Sequence, residues 1–154
     1  MKKVHIEFRQ EDRDDIHVVF SASGQDEEVV SLIRRISDPF FSTLTVYDSR
    51  GAVIKLPEEL LISVSAEKKK LLVRSDIGVY EARQPLYEVE KLLHPTVFLR
   101  ISRYEIIHLG KVRKFDFSIT GSLRIEMTDG SETWASRRFI SEIRTRLKQN
   151  REDL

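Results

Sequence analysis

Apolar and polar residues alternate at the start of the chain, with Val4, Ile6 and Phe8 set against His5 and Glu7. The alternation returns through Ile16, Val18 and Phe20 after the acidic stretch Gln10–Asp15. Two such runs around a polar turn predict a β-hairpin. Past Ser23-Gly24-Gln25-Asp26 the period changes: Val29, Val30, Ile33 and Ile36 recur at helical spacing until Ser37-Asp38-Pro39, where proline stops the helix. Residues 1–42 therefore read as a small ββα unit. Forty residues bury too little apolar surface to stand alone, so the unit is expected to pack on the rest of the chain or on a second copy.

From residue 43 onward the pattern is of short strands with close turns. Leu44–Tyr47 and Ala52–Leu56 flank Asp48-Ser49-Arg50-Gly51, and Pro57-Glu58-Glu59-Leu60 allows one helical turn. Ile62–Val64 and Leu71–Arg74 flank a polar loop, Ser65–Lys70, and Ile77–Ala82 is a further strand. Pro85 opens a short helix whose face is read as Leu86, Val89, Leu92 and Leu93. Strands follow at Val97–Ile101, Ile106–Leu109, Val112–Ile119, Leu123–Met127 and Thr133–Ala135, the last two joined at Asp129-Gly130. Ser136 suits the N-cap of a closing helix with the stripe Phe139, Ile140, Ile143, Leu147, and Trp134 and Phe139 are expected to fill core. The expected class is mainly β with short helices. Adjacent helices joined by a short glycine turn do not occur in this pattern, so it does not support a helix-turn-helix.

With 154 residues, 40% of them hydrophobic, the chain holds one core or one core plus a small unit, which excludes a large multidomain enzyme. The absence of cysteine removes disulfides, thiolate nucleophiles and cysteine-bound zinc. Met1-Lys2-Lys3 runs straight into the first strand pattern, and nothing resembles a signal peptide or a membrane span, so the expectation is a soluble, cytoplasmic protein. The net charge of +1 conceals a division. Residues 1–48 carry six Lys/Arg against ten Asp/Glu, a net of −4, while residues 49–154 carry twenty against fifteen, a net of +5. The second part can face a polyanion and the first cannot.

Two blocks within that basic part follow a known family pattern. Phe98-Leu99-Arg100-Ile101-Ser102-Arg103-Tyr104-Glu105-Ile106-Ile107-His108-Leu109-Gly110-Lys111-Val112 is similar to F-x-R-I-[HS]-[RK]-S-x-[IL]-[VI]-N-x-x-x-[IV]. Asp129-Gly130-Ser131-Glu132-Thr133-Trp134-Ala135-Ser136-Arg137-Arg138-Phe139 is similar to D-G-x-x-x-x-[VA]-S-R-R-[YF]. A strand pair with Gly121 near its turn lies between them. The chain thus resembles the LytTR DNA-binding domains of bacterial regulators over roughly residues 44–150. Tyr104 stands where a small serine is usual, which bears on a DNA contact or the loop shape. His108 replaces the common asparagine, which bears on a structural hydrogen bond.

The resemblance implies a LytTR-like β-sheet assembly over residues 43–154 that enters the grooves of duplex DNA with loops, not with a recognition helix. By position the loops are Lys68-Lys69-Lys70, Ser102-Arg103-Tyr104 and Ser136-Arg137-Arg138. Their chemistry agrees: Arg reads guanine bidentately, Lys neutralises phosphate, and the free amides behind Ser136 can hold a phosphate. Read alone, a lysine run is more often a solvated hairpin. Arg137-Arg138 opposes the helix macrodipole, so a partner anion would explain it. Arg100 is read as structural support. Phospho-receivers precede many LytTR domains, but the stretch before this match is too short for one. Residues 1–42 are instead expected to mediate homodimerisation or docking to a regulatory partner, which for some single-domain relatives is a membrane protein.

His5, His17, Glu7 and Asp15 fall short of a zinc site, Asp12, Asp14 and Asp15 lack the spacing of a calcium loop, and no catalytic triad or phosphate-binding glycine loop occurs. The expectation is a sequence-specific transcriptional regulator, not an enzyme, with no metal or cofactor. The alternatives are an interaction module that modulates another regulator without touching DNA, and an RNA binder, for which only Tyr104 offers a stacking ring in a loop.

Overall fold

The computed structural model describes residues 43–152, together with Glu27, Val29 and Val30. Those three are helical, in keeping with the periodicity around Val29. The hairpin expected over 4–20, and with it the histidine and aspartate groups discussed above, lies outside the described residues. The chain divides into two units, Met1–Ile36 and Ser37–Leu154, and the described fold belongs to the second.

That fold comprises β1 (Thr43–Tyr47), β2 (Val53–Pro57), β3 (Leu61–Glu67), β4 (Lys70–Ser75), β5 (Gly78–Ala82), α1 (Leu86–Leu92), β6 (Phe98–Arg100), β7 (Glu105–His108), β8 (Val112–Asp116), β9 (Leu123–Met127), β10 (Glu132–Ala135) and α2 (Arg137–Glu152). Seven strands form one antiparallel sheet in the order β2-β1-β5-β4-β3-β7-β6, and three form a second, β10-β9-β8. Mainly β with short helices is thus the observed class.

Side-chain alternation sorts the apolar residues into two cores. Leu44, Val46, Leu56, Val64, Leu71, Val73, Phe98 and Ile106 meet Leu86, Val89 and Leu93 of the α1 segment on one face of the large sheet. On the other face Ile62, Leu99, Ile101 and Ile107 meet Leu123, Ile125, Met127, Ala135 and Ile143, so the small sheet and α2 cover only the β3-β7-β6 part. Consecutive residues such as Phe98 and Leu99, or Ile106 and Ile107, therefore enter different cores. Such a strand reads as a continuous apolar run because both of its faces are dry.

Several expectations are corrected. The six-residue polar loop Ser65–Lys70 shrinks to a two-residue turn, because Ser65 and Ala66 pair with Leu72 and Leu71 and Glu67 pairs with Lys70. The strand expected to reach Ile119 ends at Asp116, whose Oδ1 accepts the Ser118 N–H at 3.0 Å and turns the chain. Leu92 is 61% exposed, since it falls about 60° outside the Leu86–Val89–Leu93 stripe. Trp134 is 49% exposed: Thr133 and Ala135 take the inward positions of β10, leaving the indole on the outer face opposite Arg124. Phe139 does pack on the second core, half-buried.

Candidate nucleic-acid interface

The turn between β3 and β4 consists of Lys68 and Lys69 alone. Lys68 has φ 55°, the left-handed backbone that tight hairpins demand to match strand twist and that glycine or asparagine usually supplies. A lysine there costs about 1 kcal/mol of strain. Lys68, Lys69 and Lys70 are exposed, and Lys70 is ion-paired with Glu81 of the adjacent strand.

The second loop, Ser102–Tyr104, joins β6 to β7 and is closed by the Ile101 N–H donating to the Glu105 carbonyl at 3.0 Å. Inside it the Tyr104 N–H donates to Ser102 Oγ at 3.1 Å. Arg103 and Tyr104 are exposed, Tyr104 at 61%. Arg100 supports the loop from β6: its Nε donates to the Ser102 carbonyl and its Nη2 to the Arg103 carbonyl, each at 2.6 Å, while Nη1 binds the carboxylate of Glu90 on α1.

Ser136 stands immediately before α2, and its carbonyl accepts the Phe139 N–H at 2.9 Å. Ser136, Arg137 and Arg138 are exposed, and the first turn of the helix holds no acidic residue. Arg138 leans over the Phe139 ring, 5.2 Å from its centroid. Arg137 lies along the turn between β8 and β9, where a methyl group added to Gly121 (φ 73°) would sit 3.5 Å from its Nη2.

Main-chain hydrogen bonds draw the three loops together. The Ala66 N–H, two residues before Lys68, donates to the Tyr104 carbonyl at 2.7 Å, and the Ser136 N–H donates to the Ile101 carbonyl at 3.0 Å. The Thr133 hydroxyl adds a side-chain tie by donating to the Glu105 carboxylate. Burial pushes the Glu105 carboxyl above its ordinary value, against the opposing effects of Thr133 and Arg74. Arg74 in turn reaches Asp129 at 3.2 Å. Burial alone would raise Asp129, but the Ser131 hydrogen bonds and the Arg74 charge hold it below its ordinary value.

Elsewhere in the fold some cations are ion-paired, although others, such as Arg50, Lys114 and Lys148, are not paired among the described residues. Lys111 pairs with Asp76, Arg113 with Glu126, and Arg124 with Asp116. Lys68, Lys69, Arg103, Arg137 and Arg138 form no ion pair among the described residues. Those residues also contain no group of three or more His, Cys, Asp or Glu able to hold a metal ion, and no helix long and apolar enough to cross a membrane.

The nine residues singled out in the sequence thus fall on three adjoining chain reversals and their flanks: Lys70 opens β4 and is engaged by a neighbouring carboxylate, and Arg137 and Arg138 lie in the first turn of α2. The support for Arg100 is as read. His108 keeps a hydrogen bond at the asparagine position, because its Nδ1 accepts the Gly110 N–H at 2.9 Å. Burial, then the Lys111 charge, lowers its pKa. Sequence reasoning missed the Glu105–Thr133 tie and the Arg137–Gly121 approach. Only the packing of separate elements, β7 with β10 and the start of α2 with the β8–β9 turn, brings those residues together, so local pattern carries no signal for either.

Residues 51–148 match the family described as the LytTr DNA-binding domain. The chain belongs to the LytTR family. Similar curated proteins include uncharacterised HTH-type transcriptional regulators of Staphylococcus aureus, strains MRSA252 and bovine RF122. Each is 30% identical over 135 residues, covering 86% of this chain and 87% of the relative. Among solved structures, the LytTr DNA-binding domain of a Bacillus cereus protein is similar in fold at a TM-score of 0.65. It is 23% identical and covers 69% of this chain and 96% of that one. Although the curated names refer to a helix-turn-helix, the two α-helices described in this LytTR chain are separated by β6 to β10, and no such pair forms among the described residues.

Proposed function

We propose that this LytTR protein is a sequence-specific transcriptional regulator that sets its three loops into successive grooves of duplex DNA. One observation carries the reading: hydrogen bonds from Ala66 and Ser136 hold three cationic loops side by side, and five of their cations lack an intramolecular counter-charge. Like charges crowded onto adjoining loops repel one another, and a polyanion brought to them relieves that repulsion as it binds. Arg138 and Arg103 are the base readers, since a guanidinium can grip guanine O6 and N7 together. Lys68 and Arg137 hold phosphates, Lys69 serves both roles, and Lys70, tied to Glu81, contributes less. Ser136 and the unpaired amides of the first turn of α2 receive a backbone phosphate. Ser102 shapes the loop through its bond to the Tyr104 N–H, and Tyr104 lies against the sugar-phosphate edge.

The names of the S. aureus relatives support regulation of transcription, and with it a cytoplasmic, non-enzymatic role. Those relatives match along 87% of their length, which leaves them no room for a receiver domain. An alignment of 135 residues cannot fit within residues 43–154, so it draws in part of residues 1–42 as well. That region serves dimerisation or docking to a regulatory protein, and the dimer reads two short repeats, because one set of three loops covers too little DNA for a specific complex.

The test is selection of binding sites from random duplexes by the full chain, followed by gel shift. An enriched site with two repeats is the expected result, and no enrichment refutes the reading. If substitutions in all three loops leave regulation intact, the protein acts as an interaction module instead. If a 43–154 fragment sediments as the same oligomer as the full chain, residues 1–42 do not make the dimer.

A further inference from the structure

The carbonyls of Ile101 and of the three residues of the second loop are all hydrogen-bonded, and by donors from three directions. Ile101 accepts from the Ser136 N–H at 3.0 Å and Tyr104 from the Ala66 N–H at 2.7 Å, while Ser102 and Arg103 both accept from the Arg100 side chain at 2.6 Å. A three-residue exposed loop would ordinarily leave such groups to water and sample several conformations. Here the backbone that presents Arg103 is fixed before any ligand arrives. Two of the four bonds come from one guanidinium, itself only 20% exposed and held by Glu90 across the cleft between β6 and α1. That cleft has a volume of about 180 Å³, an apolar floor of Leu93, Phe98 and Leu99, and a rim that includes Glu142 and Arg146 of α2.

We infer that Arg100 is a positioning residue for DNA recognition, fixing the Ser102–Tyr104 backbone so that Arg103 meets its base pair without an ordering cost, and that Glu90 on α1 is the remote anchor of this device. The inference rests on the groove reading of the loops. A planar fork is required, because the two carbonyls are gripped by separate nitrogens; a lysine ammonium keeps the charge but cannot reproduce the paired geometry. Preorganised groups bind more tightly because less freedom is lost on association. Arg100 spends its donors inside the protein, so it adds nothing to the count of neutralised phosphates.

The experiment uses the full chain and two probes: a duplex isolated from a random pool by this protein, and a scrambled duplex of the same composition. Arg100→Lys, Arg100→Gln, Glu90→Gln, Arg103→Ala and the double variant Arg100→Lys/Arg103→Ala are compared across a salt series, at temperatures where each is folded. Arg100→Lys and Arg100→Gln are expected to lower affinity for the selected duplex about tenfold while leaving the scrambled affinity and the salt slope unchanged. Glu90→Gln, which keeps both loop bonds, should give about a twofold to threefold loss in the same direction. In the Arg103→Ala background the effect of Arg100→Lys should largely disappear, since a residue acting through Arg103 has nothing left to position.

An unchanged ratio of selected to scrambled affinity in both Arg100 variants overturns the inference. So does full additivity of Arg100→Lys with Arg103→Ala. A salt slope lowered by about one in Arg100→Gln assigns Arg100 to a phosphate instead. If Arg103→Ala itself leaves the ratio unchanged, the groove reading of the loop has failed, a result separable from every outcome above. Should Arg100→Gln not fold, Glu90→Gln and the double-variant comparison still decide the matter.

Discussion

The three-loop edge and the surroundings of the small sheet carry the same kinds of cation in different circumstances. Around the small sheet Arg113 and Arg124 are matched by Glu126 and Asp116, and Lys111 by Asp76, so their charge is spent within the fold. At the loop edge Lys68, Lys69, Arg103, Arg137 and Arg138 stand without such partners. One of them, Lys68, even holds a backbone conformation that lysine disfavours. Absence of a partner does not by itself mark the loop cations, since Arg50, Lys114 and Lys148 also lack one among the described residues; what marks them is their crowding onto three loops tied edge to edge. Substitutions on either side test the difference.

The largest effect is expected beneath the loops. Ile143 of α2 is fully buried in the second core, and Ile143→Ala should cost about 2–5 kcal/mol in denaturant unfolding. A much smaller cost would mean that α2 is not anchored as described. Arg138→Ala comes next, with a loss of about 1–3 kcal/mol in affinity for the selected site, relaxed preference at particular base pairs, and little change in unfolding. Titrations against single-base variants of the site check it, and uniform weakening would place Arg138 among the phosphate holders.

Lys68→Gly gives the clearest opposition of sign. Glycine accepts φ 55° freely, so thermal stability should rise by up to about 1 kcal/mol. Affinity should meanwhile fall for all duplexes and the salt slope drop by roughly one, as one phosphate contact is lost. If stability and affinity fall together, the turn is not strained. Arg113→Ala is the matched control from the paired region, with a stability change below about 1 kcal/mol and no change in salt slope. A lowered slope there would erase the distinction between paired and unpaired cations.

The smallest effects concern pH. Ser118 hydrogen bonds, with Arg124 adding to them, lower the Asp116 carboxyl from 3.8 to about 2. A depressed carboxylate stabilises the fold above its unfolded value, and that contribution is lost as pH falls through the folded one. Glu105 runs the other way. Its pKa is raised above 4.5 by burial, so the protonated form is favoured in the native state, and the associated stability is present below 4.5 and fades as pH rises through the raised value. Thermal melts across pH 2–6 should show the Asp116→Asn variant flatter at the acid end and Glu105→Gln flatter above 4.5. If neither curve changes shape, these two groups do not govern the pH dependence.

Most strands were legible because their alternation is regular. Leu44 and Val46 face in while Thr45 and Tyr47 do not, and the same holds for Leu123, Ile125 and Met127. Where reading failed, the cause was tertiary. Trp134 looked like core by size, but its inward neighbours left it the outer face. Ser65 and Ala66 looked like loop by polarity, but cross-strand partners kept them in β3. The second and third loops were found through two sequence blocks and Lys68–Lys70 by position upstream of them, whereas their juxtaposition depended on bonds between Ala66 and Tyr104 and between Ile101 and Ser136, 38 and 35 residues apart in the chain. Local periodicity contains no term for such pairs.

Adjacent residues of β7, Ile106 and Ile107, supply different cores, as do Phe98 and Leu99 of β6. Gaining or losing one residue in either strand would exchange the two interiors at a stroke, sending each side chain into a space shaped for its neighbour. The Asp48–Gly51 turn, exposed and bordered by an outer strand, carries no such double obligation. Insertions and deletions should therefore accumulate there as the lineage diverges, and the segment Phe98–His108 should keep its length even where its composition drifts.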